Sequence, residues 1–343
     1  MSATVRSVEV AANRSLVSVE REIADPVAGQ VVLEVAFCGI CGSDLHFRDV
    51  PELFPAGTVP GHEMSARVAA LGPGVDGWAI GDRVCVLPFT QCGECELCRS
   101  GNEQVCPRAV AEGVGLGTGR PGAYAERILV DARMLFALPD SVDDRAGTLV
   151  EPLAVAVRAV AKAGVTPEDP VVVIGTGPVG LLTALVLRAE GYERFAVVSR
   201  NPARGRQAAA LGLPVVALDD APAGVHDALG GADPVAAFEC AGTPAAAQLA
   251  VELVAPLGRV MVVGVSMAPL DLPAPPIVLK EVALHGVLTY RRDEFARAID
   301  LLAAGAIPGD ELITGIAPLQ DAEAAFRGLT APGNTDIKVL LRP

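Results

Sequence analysis

The chain has 343 residues, 51% of them apolar, and a formal net charge of −14. That length allows two domains of ordinary size with a substantial core. The charge argues against a nucleic-acid partner, since phosphates are bound by Lys and Arg, and no apolar run reaches the roughly eighteen residues of a membrane span.

The first residues, MSATVRSVEVAANRSLVSVE, lack a basic start followed by an apolar run, so they are not read as a signal peptide, and a reducing, cytoplasmic setting is expected. Residues 1–150 contain short apolar runs such as VVLEVAFC, SARVAALG and GDRVCVLP that end in turn formers, the texture of a compact β-rich domain. CGICGSDLH places Cys38, Cys41, Ser43, Asp44 and His46 within nine residues, and PGHEM adds His62 and Glu63. One Cys, one His and one carboxylate form a mixed sulfur, nitrogen and oxygen set that suits a catalytic zinc with an open position. Such a metal eases loss of an alcohol proton and polarises a carbonyl.

Cys92, Cys95, Cys98 and Cys106 follow in QCGECELCRSGNEQVC, spaced C-x2-C-x2-C-x7-C. Thiolates this close converge on one tetrahedral Zn²⁺, and four sulfurs leave no position open, so this second zinc is structural. It would organise a lobe at about residues 88–108. Two disulfides would need an oxidising compartment, and an iron–sulfur cluster is the lesser alternative for four thiolates.

LVEPLAVAV brings Glu151 to the domain junction. From there to about residue 289, strand-like runs such as VVVIG, RFAVVS, VAAFEC and RVMVVGV mostly alternate with Ala- and Leu-rich helical stretches, which implies a parallel sheet covered by helices. VVVIGTGPVG carries Gly175, Gly177 and Gly180, with Pro178 and Val179 between the last two, after an apolar strand and at the opening of a helix. In that context G-x-G-x-x-G reads as a dinucleotide loop: a tight turn at Gly175, close approach of a pyrophosphate at Gly177, and close helix–strand packing at Gly180. The next strand ends in Ser199, Arg200 and Asn201, with Arg204 behind, and has no carboxylate to hold a ribose 2′-OH. Arg200 suits a 2′-phosphate and Ser199 adds a hydrogen-bond donor, so NADP is favoured over NAD. Residues 290–343 hold an amphipathic helix, DEFARAIDLLAAG, and a last strand, DIKVLLR, and are expected to return to the first domain.

GICGSDLH, GHE, the four-cysteine lobe, EPLAV, GTGPVG and DIKVLL stand in the order of the zinc-dependent medium-chain alcohol dehydrogenases, which the chain resembles over nearly its whole length. It is most similar to the polyol branch, with sorbitol, threonine and 2,3-butanediol dehydrogenases. The resemblance implies an α/β protein: a GroES-like β-rich catalytic domain plus a Rossmann domain with a doubly wound parallel sheet. It implies Cys41 and His62 as catalytic zinc ligands and Cys38 as a buried strand residue. The third ligand is Glu63, with Glu151 exchanging with it or lying behind, or Glu151 itself. Asp44 would orient His62, and Ser43 and His46 would carry the proton from the alcohol to solvent.

Arg158 stands where the family often carries His. The stretch from His46 to His62 is short, leaving Phe47, Leu53 and Phe54 to line one wall of the cleft, with Leu288, Thr289, Tyr290 and Arg292 opposite. The activity implied is reversible hydride transfer between a diol, polyol or sugar-like secondary alcohol and NADP, giving a ketone, with two zinc ions per chain. A homodimer or homotetramer is expected, with RVMVVGVSMAPLDLP as the candidate interface. An NAD-dependent enzyme is the nearest alternative. A zinc-free enone or quinone reductase, or a non-catalytic nucleotide-binding protein, would lack features that this chain keeps.

Overall fold

The computed structural model describes residues 3–89, 91–117 and 119–343. The chain divides into two compact units, one of residues 3–151, 291–303 and 308–343, the other of residues 152–290 and 304–307. In chain order the strands of the first unit are β1 (Ala3–Val10), β2 (Leu16–Ile23), β3 (Gln30–Gly39), β4 (Glu63–Leu71), β5 (Arg83–Val86), β6 (Arg127–Asp131) and β7 (Leu135–Ala137). The second unit holds β8 (Val171–Ile174), β9 (Phe195–Ser199), β10 (Val215–Ala217), β11 (Ala236–Glu239), β12 (Arg259–Val262) and β13 (Ala283–Gly286). The chain then adds β14 (Ile313–Pro318) and β15 (Lys338–Arg342) to the first unit.

The first unit is built on β3. Its sequence QVVLEVAFCG buries Val31, Leu33, Val35 and Cys38 in a core that also holds Met64, Val68, Tyr124 and Phe326. The seven-stranded sheet runs β14-β15-β3-β4-β5-β7, with β6 also paired to β3. Register sets the site: Gly39 at the end of β3 lies opposite Glu63 at the start of β4 and opposite Leu340 of β15. The apolar strand KVLLR thereby delivers its one lysine to the same corner. Only glycine fits at position 39, since a Cβ there would stand 2.2 Å from Glu63 Oε2.

The second unit has six parallel strands in the order β10-β9-β8-β11-β12-β13. β8 and β11 are buried throughout, as a sheet covered on both faces requires. This doubly wound order puts the ligand crevice at the carboxyl ends of β8 and β11, where the winding reverses. The α/β architecture expected from the sequence is therefore the one observed. Within the run expected at the interface, β12 is paired on both sides. The sheet ends in the edge strands β10 and β13, and all four residues of β13 are exposed.

Gly175 adopts φ +117°, a region that side chains other than hydrogen avoid. A Cβ on Gly180 would lie 2.1 Å from the Gly175 carbonyl oxygen, whereas one on Gly177 would meet nothing within 4 Å. Gly180→Ala should therefore cost about 1–3 kcal/mol as an overpacked contact, while Gly177→Ala should leave stability unchanged. Urea unfolding of both variants tests this, and equal midpoints would contradict it.

Candidate functional site

Cys41 follows directly from β3 and caps the short helix Gly42–Phe47. Asp44, in the first turn of that helix, reaches back so that its Oδ2 accepts the Cys41 N–H at 3.2 Å. The same oxygen accepts the Tyr124 hydroxyl at 2.8 Å, and the Asp44 side chain is fully buried. His62 precedes β4 and turns Nδ1 toward Asp44 Oδ1 at 3.6 Å. The donor atoms of Cys41, His62 and Glu63 all lie within 4.8 Å of one another. Both Glu63 oxygens accept from Lys338 Nζ, at 2.8 and 2.6 Å, and Nζ also donates to the Ile40 carbonyl at 3.0 Å. Lys338, Glu63 and Glu151 are all buried.

This corner is rich in negative charge. Burial alone would lower the pKa of His62, but Asp44, Cys41 and Glu151 outweigh burial and hold it well above its usual value. Lys338 follows the same logic: burial lowers it, while Glu63, Cys41 and Glu151 raise it to a net upward shift. Glu63 and Glu151 thus act on Lys338, and Asp44 and Glu151 on His62. The sulfur, imidazole and carboxylate donors that converge here suit zinc.

Ser43 donates its hydroxyl to Cys41 Sγ at 3.1 Å. His46 is exposed one turn further along the same helix, and the i, i+3 spacing puts it on the Ser43 face. Of the residues expected at the cleft, two are buried and one stacks on a ring within its own unit. Phe54 is 1% exposed and belongs to the core, edge-on to Phe47 at 5.9 Å between centroids. Tyr290 is buried. Arg292 lies over the Phe136 ring at 4.6 Å and donates to the Arg133 carbonyl. Leu53 and Leu288 are exposed.

In the four-cysteine lobe the sulfur separations are 3.8 Å (Cys92–Cys98), 4.0 Å (Cys95–Cys106) and 3.7 Å (Cys106–Cys92). A disulfide needs ~2.05 Å. Sulfurs ~2.3 Å from a tetrahedral zinc stand about 3.8 Å apart, so the lobe has the dimensions of a zinc cage. The Cys95 N–H points at Cys92 Sγ and the Cys98 N–H at Cys95 Sγ. Backbone N–H groups of Glu94 and Cys95 bring the Cys92 thiol down to about 6, while burial and the neighbouring cysteines push Cys98 up to about 12.

The second unit holds a cleft of 320 Å³ at the ends of β8 and β11, lined among others by Gly175, Gly177, Pro178, Arg200, Asn201 and Arg204. Among the described residues, no carboxylate lines it. Val179 and Gly180 continue the first turn of helix Pro178–Ala189 behind this lining. Ser199 departs from the expectation. It is buried, and its hydroxyl is shared with Thr176 Oγ1 at 2.8 Å and donated to the Asn201 carbonyl at 3.0 Å. Ser199 therefore ties β9 to the glycine loop rather than presenting a donor to the cleft.

Lys338 and Tyr124 were missed by sequence reasoning. A single lysine in the apolar run IKVLL was the only local trace of the first, and nothing local marks the second.

Comparison with known proteins agrees with this geometry. Residues 27–140 match the alcohol dehydrogenase GroES-like domain, and residues 178–304 match the zinc-binding dehydrogenase domain. The chain belongs to the zinc-dependent medium-chain alcohol dehydrogenases, in their polyol branch. It is 35% identical over 328 residues to the 2-dehydro-3-deoxy-L-galactonate 5-dehydrogenase of Pseudoalteromonas atlantica, covering 92% of this chain and 93% of that one. It is 32% identical over 330 residues to the (R,R)-butanediol dehydrogenase of Bacillus subtilis, with the same shares covered. An alcohol dehydrogenase of Escherichia coli CFT073 complexed with NADH superposes with a TM-score of 0.90 at 29% identity, covering 99% of this chain and 100% of that one. A zinc-binding dehydrogenase of Sinorhizobium meliloti bound to NADP gives 0.88 at 26%, with the same coverage. This member of the family is an oxidoreductase acting on CH–OH groups.

The Glu63–Lys338 pair is sealed from water, so breaking it strands a charge. Lys338→Met should lose about 3–5 kcal/mol, and the double variant Lys338→Met/Glu63→Gln should recover part of that loss. Denaturant unfolding measures both, and a single variant as stable as the parent would contradict the argument.

Proposed function

We propose that this dehydrogenase interconverts a small diol, polyol or sugar-like secondary alcohol and its ketone, with NADP as hydride acceptor and two zinc ions per chain. The observation that carries the reading is the convergence of Cys41, His62 and a buried carboxylate in a corner with excess negative charge. Cys41, His62 and Glu63, or Glu151 in place of Glu63, would hold the catalytic zinc. Cys92, Cys95, Cys98 and Cys106 would hold the structural one. The catalytic metal supplies Lewis acidity, which makes an alcohol proton easier to remove.

The residues do the rest. Asp44 faces His62 Nδ1 and so leaves the other ring nitrogen for the metal. Ser43, beside the Cys41 sulfur, takes the alcohol proton, and exposed His46 releases it to water. Lys338 holds the Glu63 carboxylate in place through both of its oxygens. The mixed polarity of the polyol relatives' substrates, a butanediol in one and a deoxy sugar acid in another by their names, supports the substrate class.

NADP preference rests on Arg200 and Arg204 beside the glycine loop and on the lack of a carboxylate in that lining. Gly175, Gly177 and the first turn at Pro178, Val179 and Gly180 would cradle the pyrophosphate. The inward turn of Ser199 favours a second reading, NAD, because it removes one of the two donors expected for a 2′-phosphate. For assembly, the exposed edge β13, with Leu284 on it and exposed Val278 and Leu279 just before it, supports pairing with a second copy of the chain. A cytoplasmic location fits the eight cysteines, none of which is in a disulfide among the described residues.

The test is reduction of a panel of hydroxyketones and keto sugars with NADPH and with NADH, before and after treatment with a zinc chelator. Turnover that prefers NADPH and disappears on chelation is expected, and chelator-insensitive turnover would overturn the zinc assignment. Arg200→Asp should weaken NADPH by about 10–100-fold, the loss of one charge-assisted contact worth ~1.5–3 kcal/mol, and leave NADH little changed. Equal losses for both would decide for NAD. Leu284→Lys should lower the sedimentation coefficient to that of a smaller assembly, and an unchanged value would move the interface away from β13.

A further inference from the structure

Asp44 has two carboxylate oxygens, and the structure treats them differently. Oδ2 accepts two donors, the Tyr124 hydroxyl at 2.8 Å and the Cys41 N–H at 3.2 Å. Oδ1 accepts none and faces His62 Nδ1 at 3.6 Å, and that nitrogen is likewise without another partner. Tyr124 is also bound to the segment that delivers His62. Gly122 N–H donates to Val59, Ala123 N–H to Gly61 and Tyr124 N–H to Pro60, all through main-chain carbonyls at 2.8–3.0 Å. The ring lies on Gly61, where a Cβ would come within 2.5 Å of it and where φ is +102°. On its other side it meets Phe326 edge-on at 6.1 Å. One residue therefore sets both the path of the chain into His62 and the acceptor that His62 faces.

We propose that Tyr124 is a positioning residue for the metal centre: by occupying Asp44 Oδ2 it reserves Oδ1 for His62 Nδ1–H and so fixes the tautomer that leaves the Nε2 lone pair for a metal. The proposal rests on the reading of Cys41 and His62 as metal ligands. A histidine that can donate Nδ1–H only to a fixed carboxylate keeps its Nε2 lone pair directed, and groups that orient a ligand in this way are typically worth 10–100-fold in metal affinity. Without the tyrosine hydroxyl, Asp44 can rotate to offer either oxygen, and His62 loses its single orientation. Tyr124→Phe removes only that hydroxyl and keeps the ring on Gly61 and Phe326.

The experiment is zinc titration of the full chain against a competing chromophoric chelator, for the parent, Tyr124→Phe, Asp44→Asn and the double variant. The parent should bind two equivalents. Tyr124→Phe should bind the second about tenfold more weakly, with the four-cysteine equivalent unchanged, and should have no further effect in the Asp44→Asn background. Parent-like affinity in Tyr124→Phe, or an undiminished effect in that background, would overturn the proposal while leaving the metal centre intact. A parent that binds one equivalent only would overturn the metal centre and the proposal with it. If Asp44→Asn does not accumulate, ring ¹⁵N shifts decide between the outcomes. A single Nδ1–H form of His62 in the zinc-loaded parent should become a mixture in zinc-loaded Tyr124→Phe, and an unchanged single form would count against the role.

Discussion

A buried surplus of negative charge governs the first unit. Gly39, Glu63 and Leu340 meet in register where β3, β4 and β15 come together, and that register brings Glu63 and Lys338 into a sealed ion pair. Desolvating two charges is costly, and the pair holds because Nζ is also satisfied by the Ile40 carbonyl and both Glu63 oxygens are used. The pair does not neutralise its surroundings. Asp44, Glu151 and the Cys41 sulfur remain around His62, whose upward shift records their field. The same corner brings the donor atoms of Cys41, His62 and Glu63 within 4.8 Å of one another.

The second unit works by close approach rather than by charge. Gly180 lets its helix settle onto the Gly175 carbonyl, and Gly177 leaves open space where a side chain would stand. The Thr176–Ser199 hydrogen bond ties the glycine loop to the end of β9. That leaves the arginines at 200 and 204 as the cationic groups lining the cleft. The proposed preference for NADP rests on those two side chains.

What could be read from the sequence follows how local each feature is. The four cysteines lie within fifteen residues, so their convergence required no knowledge of the fold, and the sulfur distances match a zinc cage. The glycine loop announces itself through a strand before and a helix after. Cys41 and His62 are twenty-one positions apart, and pairing of β3 with β4 unites them. Lys338 and Tyr124 are brought in over 275 and 80 residues respectively, and their roles depend on register and burial that no local pattern encodes. Side-chain direction was also hidden. Ser199 turns inward to Thr176 and Phe54 into the core, and each had been expected to face a ligand.

The two zinc sites proposed here are independent, one built by local spacing and one by the meeting of β3 and β4. Metal analysis of the purified parent beside Cys41→Ser and Cys98→Ser tests this most directly. The account predicts two zinc ions in the parent and one in Cys41→Ser, whose remaining ion sits in an all-sulfur environment by X-ray absorption. Cys98→Ser should retain the ion of mixed sulfur, nitrogen and oxygen ligation. A parent with a single zinc in four-sulfur coordination, unchanged in Cys41→Ser, would contradict it.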